Sequence, residues 1–404
     1  MTSNATSTLS KTLPLIVADE NIPQISEALA GIARVKLLPG RQITAADVST
    51  AEALFVRSIT KVNKALLNGS TVKFVGSATI GMDHLAAHEL QEMGVEYTNA
   101  AGSNANSVVE YVFCGLLELH NQGIVSLDHD FTLGIIGVGN IGRALCQLAQ
   151  KLGISVLCCD PPRQAAGEQG PWFSLDEVLA QSTVVSLHTP LTKTGPFPTH
   201  HMIGESQLKT LGPKGVLINA ARGSVVQNTP LLRALQEKNL AAAVLDCWEN
   251  EPELLPGLHE CLFLGTPHIA GYSHDGKLAG TLQIVDAFCR FKGLPHSWKP
   301  SLTPPQQPMI KLIDENSLNL NSSSIWNRVL PFARTSYDLR QDDSALREQS
   351  TAHAASNPQT LRTQFDLLRK NYPLRREFSA YTFSGTNLDP ILKNILCTLG
   401  FNEQ

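Results

Sequence analysis

Three glycines in the spacing G-x-G-x-x-G, Gly137, Gly139 and Gly142, follow the apolar run FTLGII and precede IGRALCQLAQKLG. In a strand–turn–helix, the first glycine permits the tight turn, the second lets a pyrophosphate approach the backbone, and the third allows close helix–strand packing. The helix opening at Asn140 and Ile141 would present unpaired N–H groups to the phosphates. Asp160 ends the next apolar run, 18 residues after Gly142. A carboxylate there can accept hydrogen bonds from ribose hydroxyls and repels a 2′-phosphate, whereas nearby Arg163 keeps NADP open. A glycine-rich turn with a capping aspartate is the plainer alternative.

Three further residues each follow an apolar run: Arg222 in INAARGSVV, Glu251 in VLDCWENEPEL and His268 in LGTPHIAGY. In a parallel sheet, ends of this kind gather at the carboxyl edge, where ligands bind. Arginine can clamp a carboxylate through two parallel hydrogen bonds. Histidine can exchange a proton with a hydroxyl while a hydride leaves the same carbon. A carboxylate on its other nitrogen would orient the ring and favour the imidazolium. Singly, each has an ordinary reading as a surface ion pair or a satisfied loop residue, but their succession on three strand ends argues against chance. His188 in SLHTPL is expected to line the nucleotide cleft, and no histidine spacing suggests a metal.

The elements that would position these groups are legible as alternation. LPLIVAD, ARVKLL, ALFVRS and VKFVGS, then FTLGIIGVG, SVLCCD, TVVSLHTP, GVLINAA, AAVLDCW and LFLGTPHI, are apolar runs of strand length separated by helical stretches. This predicts an α/β protein built on parallel sheets with helices on both faces. NANSVVEYVFCGLLELHNQ reads as one long, largely buried helix or an interdomain connector. Residues 295–308 hold five prolines, as an extended linker would. Beyond it a small α+β unit is expected, with residues 361–378 largely helical.

Of the 404 residues, 43% are hydrophobic and 17% charged, with a net charge of −4, so wholesale disorder is excluded, and no basic patch of the kind a nucleic-acid binder carries stands out. No apolar run reaches membrane-spanning length, and the first dozen residues read as a frayed tail without a secretory h-region. Eight cysteines, none spaced C-x-x-C, suit buried reduced thiols in the cytoplasm.

With GVGNIG, Asp160, HTPL, NAARG, the Asp246–Glu251 pair and TPHIAGY in one order, the chain resembles the D-isomer-specific 2-hydroxyacid dehydrogenases. FVRSITKVN, KFVGSATIGMDH, CDPPR and the tail motifs LRQDD and FDLLRKNYPLRREF resemble one branch of that family. That branch acts on a small phosphorylated 2-hydroxy acid in vitamin B6 biosynthesis and carries a C-terminal dimerisation domain. The resemblance implies catalytic roles for Arg222, Glu251 and His268. It implies NAD contacts at Asp160, Thr189, Ala220–Arg222, Asp246 and Gly271, and substrate contacts at Ser58, Thr79 and Tyr272. It also implies two Rossmann-like/flavodoxin-like parallel-sheet domains flanking an active-site cleft. The boundaries it implies are 13–106 for a substrate-binding domain completed by 276–298, 107–275 for the NAD-binding domain and 299–404 for the C-terminal dimerisation domain. The implied assembly is a homodimer, with no nucleic acid or membrane partner. The tail cluster Arg369, Lys370, Arg375 and Arg376 is expected on a solvated helix face. The sharper alternative is that a tail arginine, Arg347 or one of this cluster, reaches a neighbouring subunit's cleft and binds the substrate phosphate. Tail removal is expected to leave a monomer that still binds NAD. Two other readings fit the motifs: a phosphoglycerate- or hydroxypyruvate-type dehydrogenase, and a non-catalytic NAD-sensing protein on the same scaffold.

Overall fold

Strands that are apolar at every position must be covered on both faces, and the computed structural model shows two sheets built this way. It describes residues 13–311, 324–352, 358–385 and 388–404, so the frayed tail expected at the N-terminus lies outside the described residues. The chain divides into two compact units, 1–103 with 277–302 and 104–276 with 303–404.

The first unit holds β1 (Leu15–Asp19), β2 (Arg34–Leu38), β3 (Ala53–Val56), β4 (Phe74–Ser77) and β5 (Glu96–Asn99), all parallel in the order β2-β1-β3-β4-β5. Alternation sorts the side chains by face. Ile16, Phe55 and Phe74 pack with Ile284, Val285 and Phe288 of the helix His274–Lys292, while Val17, Leu54 and Val75 form the opposite core. β5, with the sequence EYTN, is the strand that hydrophobicity did not reveal. It sits at the sheet edge, where polar residues are tolerated.

The second unit's main sheet contains β6 (Thr132–Ile136), β7 (Ser155–Cys159), β8 (Val184–Leu187), β9 (Val216–Asn219), β10 (Ala242–Leu245) and β11 (Leu264–Gly265). The strands are parallel, in the order β11-β10-β9-β8-β6-β7. The order reverses between β6 and β8, the switch point at which such sheets open a ligand crevice. The helix Ala105–Asn121 covers one face, with 13 of its 17 residues buried.

The tail is folded against this sheet on both sides. Trp326, Phe332, Phe378, Phe383 and Phe401 join the core that contains Leu133, Ile135 and Val244, whereas Leu346 and Phe365 join the core on the other face. β12 (Met309–Lys311), β13 (Thr382–Ser384) and β14 (Asn402–Glu403) form a separate small parallel sheet. Glu118, buried on the long helix, receives a bidentate pair from Arg334 at 2.7 and 2.6 Å. The long helix is therefore buried between the sheet and the tail.

Four expectations change. Tail removal would strip side chains from both cores, so it cannot leave an intact nucleotide-binding unit. The helix expected over 361–378 is instead Pro358–Lys370. It stops before Pro373, which lacks an N–H and disfavours helix in the residue before it. Arg375 and Arg376, in the extended segment beyond, are buried at 5% and 6% exposure rather than solvated. Among the cysteines, all free, Cys397 is exposed rather than buried. No described helix is long and apolar enough to cross a membrane.

Phe383 is fully buried and packs edge-on to Phe332, with ring centroids 6.1 Å apart. Phe383→Ala is expected to cost about 3–5 kcal/mol, read as a lower urea midpoint for the whole second unit. An independent, earlier transition of the tail alone would contradict the shared core.

Candidate active site

Every candidate residue of the second unit follows a strand of its six-stranded sheet at the carboxyl edge. The glycine loop follows β6, Asp160 follows β7, Thr189 follows β8, Ala220–Arg222 follow β9, Asp246 and Glu251 follow β10, and His268 follows β11. Gly137 has φ +88°, and a Cβ there would lie 2.8 Å from the His188 and Thr189 backbone. A Cβ on Gly142 would lie 2.0 Å from the Gly137 carbonyl, whereas at Gly139 nothing lies within 4 Å. The loop is thus tight where it turns and open where a pyrophosphate would approach, at the start of the helix Asn140–Lys151. This cradle fits a dinucleotide.

Asp160 is already engaged: Oδ2 accepts from Val138 N at 2.7 Å and Oδ1 from Arg163 N at 3.1 Å. Its carboxylate holds the glycine loop in place. Arg163 donates to the Val138 carbonyl at 3.0 Å and pairs with Glu168, so it is bound to the loop and to an acid. His188 is hydrogen-bonded to Ser186 at 2.9 Å and pulled down to about 3 by burial, so the ring is neutral beside the loop.

His268 stands in a left-handed backbone conformation, φ +56°, uncommon for a residue with a side chain. Asp246 holds it there. The buried carboxylate accepts from Thr266 Oγ1 and Ile269 N at 2.7 Å each, and from Ala270 N at 3.0 Å. Besides the cofactor contact inferred from sequence, Asp246 therefore anchors the loop on both sides of His268. Asn219, a residue the sequence reading passed over, does the same for Arg222. It accepts from Ala221 N at 3.1 Å and donates to the Arg222 carbonyl at 3.1 Å and the Cys247 carbonyl at 3.4 Å. Arg222 Nη1 in turn donates to the Ala221 carbonyl at 2.8 Å.

Glu251 Oε1 accepts from His268 Nδ1, and Glu251 Oε2 from Trp248 N at 3.0 Å. Burial opposes the carboxylate, but the His268 charge and hydrogen bond, the Trp248 N–H and the Arg369 charge hold it below its usual range. Burial likewise opposes the imidazolium, yet the charges of Cys247 and Glu251 and their hydrogen bonds raise His268 well above its usual value. Burial keeps the Cys247 thiol protonated, so the Glu251 carboxylate is the partner that sustains the raised value.

Gly271 packs against Asn104, which donates to its carbonyl at 3.3 Å. Tyr272 lies edge-on to Tyr372 at 5.9 Å, with the Arg369 guanidinium 5.7 Å from its ring centroid. In the first unit, Ser58 follows β3 and Thr79 follows the adjacent β4, at the carboxyl edge of their sheet. Thr79 Oγ1 lies 2.9 Å from Ser77 Oγ, which bonds His84 at 2.9 Å. Among the tail arginines, Arg347 is bound to Asp343 and to two carbonyls, and Arg376 to Asp275.

A nucleotide cradle at a sheet's switch point, with an arginine and a histidine–carboxylate pair on neighbouring strand ends, defines an NAD-dependent dehydrogenase. Residues 119–270 match the D-isomer specific 2-hydroxyacid dehydrogenase NAD binding domain, and residues 311–400 a domain of unknown function (DUF3410). The chain belongs to the D-isomer-specific 2-hydroxyacid dehydrogenase family, and its cofactor is NAD. The erythronate-4-phosphate dehydrogenase of Pseudomonas fluorescens (strain Pf0-1) is 44% identical over 386 residues, 96% of this chain and 99% of that protein. Its counterpart in Escherichia fergusonii is 42% identical over 388 residues, 96% and 98% of the two chains. D-lactate dehydrogenase from Aquifex aeolicus, solved with NAD and lactic acid, is similar with a TM-score of 0.55 and 25% identity, over 69% of this chain and 96% of that one. The 3-phosphoglycerate dehydrogenase of Entamoeba histolytica shares the fold, with a TM-score of 0.58 and 22% identity over 70% and 96%.

With His268 as the expected acid/base, only its neutral form accepts a proton in the oxidative direction, so kcat/KM for oxidation is expected to rise with pH through an apparent pKa above the ordinary histidine range. Glu251→Gln removes the charge favouring the imidazolium and should move that limb to lower pH. An unmoved limb in the pH–rate profile would exclude the pairing as its cause.

Proposed function

We propose that the chain oxidises 4-phospho-D-erythronate to 2-oxo-3-hydroxy-4-phosphobutanoate, a step of vitamin B6 biosynthesis. The observation that carries the chemistry is the Glu251–His268 pair on the strand ends beside Arg222. The choice of substrate is supported by the relatives named for it, which align over 96% of the chain.

When bound, NAD accepts the hydride from C2. Gly137, Gly139, Asn140, Ile141 and Gly142 cradle its pyrophosphate, and Asp160, Thr189, Ala220, Ala221, Asp246 and Gly271 complete its contacts. Arg222 orients the substrate carboxylate with two parallel hydrogen bonds. His268 Nε2, the ring nitrogen not bonded to Glu251, takes the C2 hydroxyl proton, and Glu251 stabilises the resulting imidazolium. Ser58, Thr79 and Tyr272 contact the substrate. The molecule works in the cytoplasm, in keeping with eight unpaired cysteines. It does so as a homodimer formed through residues 299–404; the other domain assignments are a substrate-binding domain of 13–106 with 276–298 and a nucleotide domain of 107–275.

The deciding assay follows absorbance of the reduced cofactor with 4-phospho-D-erythronate, 3-phosphoglycerate and D-lactate, each with NAD and NADP. Turnover is expected with the first acid and NAD. Preference for another acid would overturn the substrate assignment, and NAD binding with no turnover would favour the sensing protein. His268→Ala is expected to lower kcat roughly 10²–10⁴-fold with NAD affinity near wild type. Retention of more than about a tenth of turnover would remove the acid/base role.

Arg222→Lys should be nearly as damaging as Arg222→Ala, because a point charge cannot reproduce the guanidinium fork. Near-normal kinetics in the lysine variant would exclude two-point binding of the carboxylate.

A further inference from the structure

The tail places one arginine against the catalytic loop of its own chain. Arg369, in the last turn of the helix Pro358–Lys370, sets its guanidinium 5.7 Å from the Tyr272 ring centroid and hydrogen-bonds that side chain. Its charge is also felt at Glu251. The side chain is half-buried, and its Nε is buried without a hydrogen-bond partner.

Its position is not that of a loosely held surface cation. Directly after it, the extended segment is bound to residues 270–275 at several points. Tyr372 packs edge-on to Tyr272 and donates to Asp342 at 2.9 Å. Arg375 bonds the Ala270 carbonyl at 2.6 Å, while its own carbonyl accepts from His274 N at 2.7 Å. Arg376 pairs with Asp275 at 2.9 Å, and Glu377 accepts from Ser273 Oγ at 2.8 Å. This strap carries Arg369 into register with the loop that bears His268 and Tyr272.

Glu251, the active-site acid that senses Arg369, already accepts from both His268 and Trp248 N, so its charge is shared. A partly desolvated guanidinium is well suited to a planar or phosphate oxyanion. The proposed substrate has two anionic ends, and Arg222 accounts for one. We propose that Arg369 recognises the phosphate monoester of the substrate bound to the same chain, so that the tail sets specificity. This rests on the substrate reading above and deepens it.

The test uses the full-length NAD-loaded protein as wild type, Arg369→Ala, Arg369→Gln and Arg369→Lys. It compares kcat/KM for 4-phospho-D-erythronate with that for D-erythronate, and measures inorganic phosphate binding by calorimetry. The expected result is a roughly 10- to 100-fold fall in the preference for the phosphorylated acid in the Ala and Gln variants. Partial recovery in the Lys variant and loss of phosphate binding in Ala and Gln are also expected. Equal losses on both acids would mean that Arg369 only packs Tyr272, and unchanged preference would mean no contact; either overturns the proposal. If the wild type turns over neither acid, the substrate reading fails by itself. Phosphate binding then decides for Arg369: binding abolished by the Ala and Gln variants supports the site, and binding absent or unaltered refutes it.

Discussion

The pair between Glu251 and His268 is the interaction around which the second unit is organised. Two half-buried ionisable groups face each other, where burial pushes each alone toward its neutral form. Together they keep their charges, and that requires their loops to be fixed relative to each other. Asp246 supplies part of this constraint by binding the loop on both sides of His268, and Trp248 N supplies another by fixing the second oxygen of Glu251. The left-handed backbone at His268 persists because these bonds leave it no relaxed alternative.

The same demand explains why the C-terminal segment is integral rather than appended. A loop that holds His268 in a left-handed backbone conformation needs support from behind. Here the support is Arg375 on the Ala270 carbonyl, Arg376 on Asp275 and Glu377 on Ser273. These are charge-assisted hydrogen bonds in buried or half-buried surroundings, where each is stronger than in water and each broken one is costly. The apolar side chains of the tail secure the arrangement by completing the cores on both faces of the main sheet.

Much of this was readable in the chain. Continuous apolar runs named most strands because both sheet faces are covered, and the G-x-G-x-x-G spacing named a turn whose steric demands are local. The order of Arg222, Glu251 and His268 after successive strands placed all three at one edge, since parallel strands share a direction. What single residues could do chemically, and that they would meet, followed from sequence. β5 escaped because an edge strand need not be apolar, and the helix end at Lys370 was overrun because its amphipathic pattern continues past Pro373.

Only the tertiary structure decided which groups are partners. Asn219 reads as an ordinary polar strand end and Asp246 as a cofactor contact alone until their bonds to the Ile269, Ala270 and Ala221 backbone are seen. The basic cluster of the tail resembles a solvated helix face, yet Arg375 bonds a carbonyl 105 residues away and Arg369 lies over Tyr272. Periodicity reports the local environment of a segment along the chain. The burial of a charge depends on a partner brought from far along it, so sequence determined the chemistry available here and folding determined where it is used.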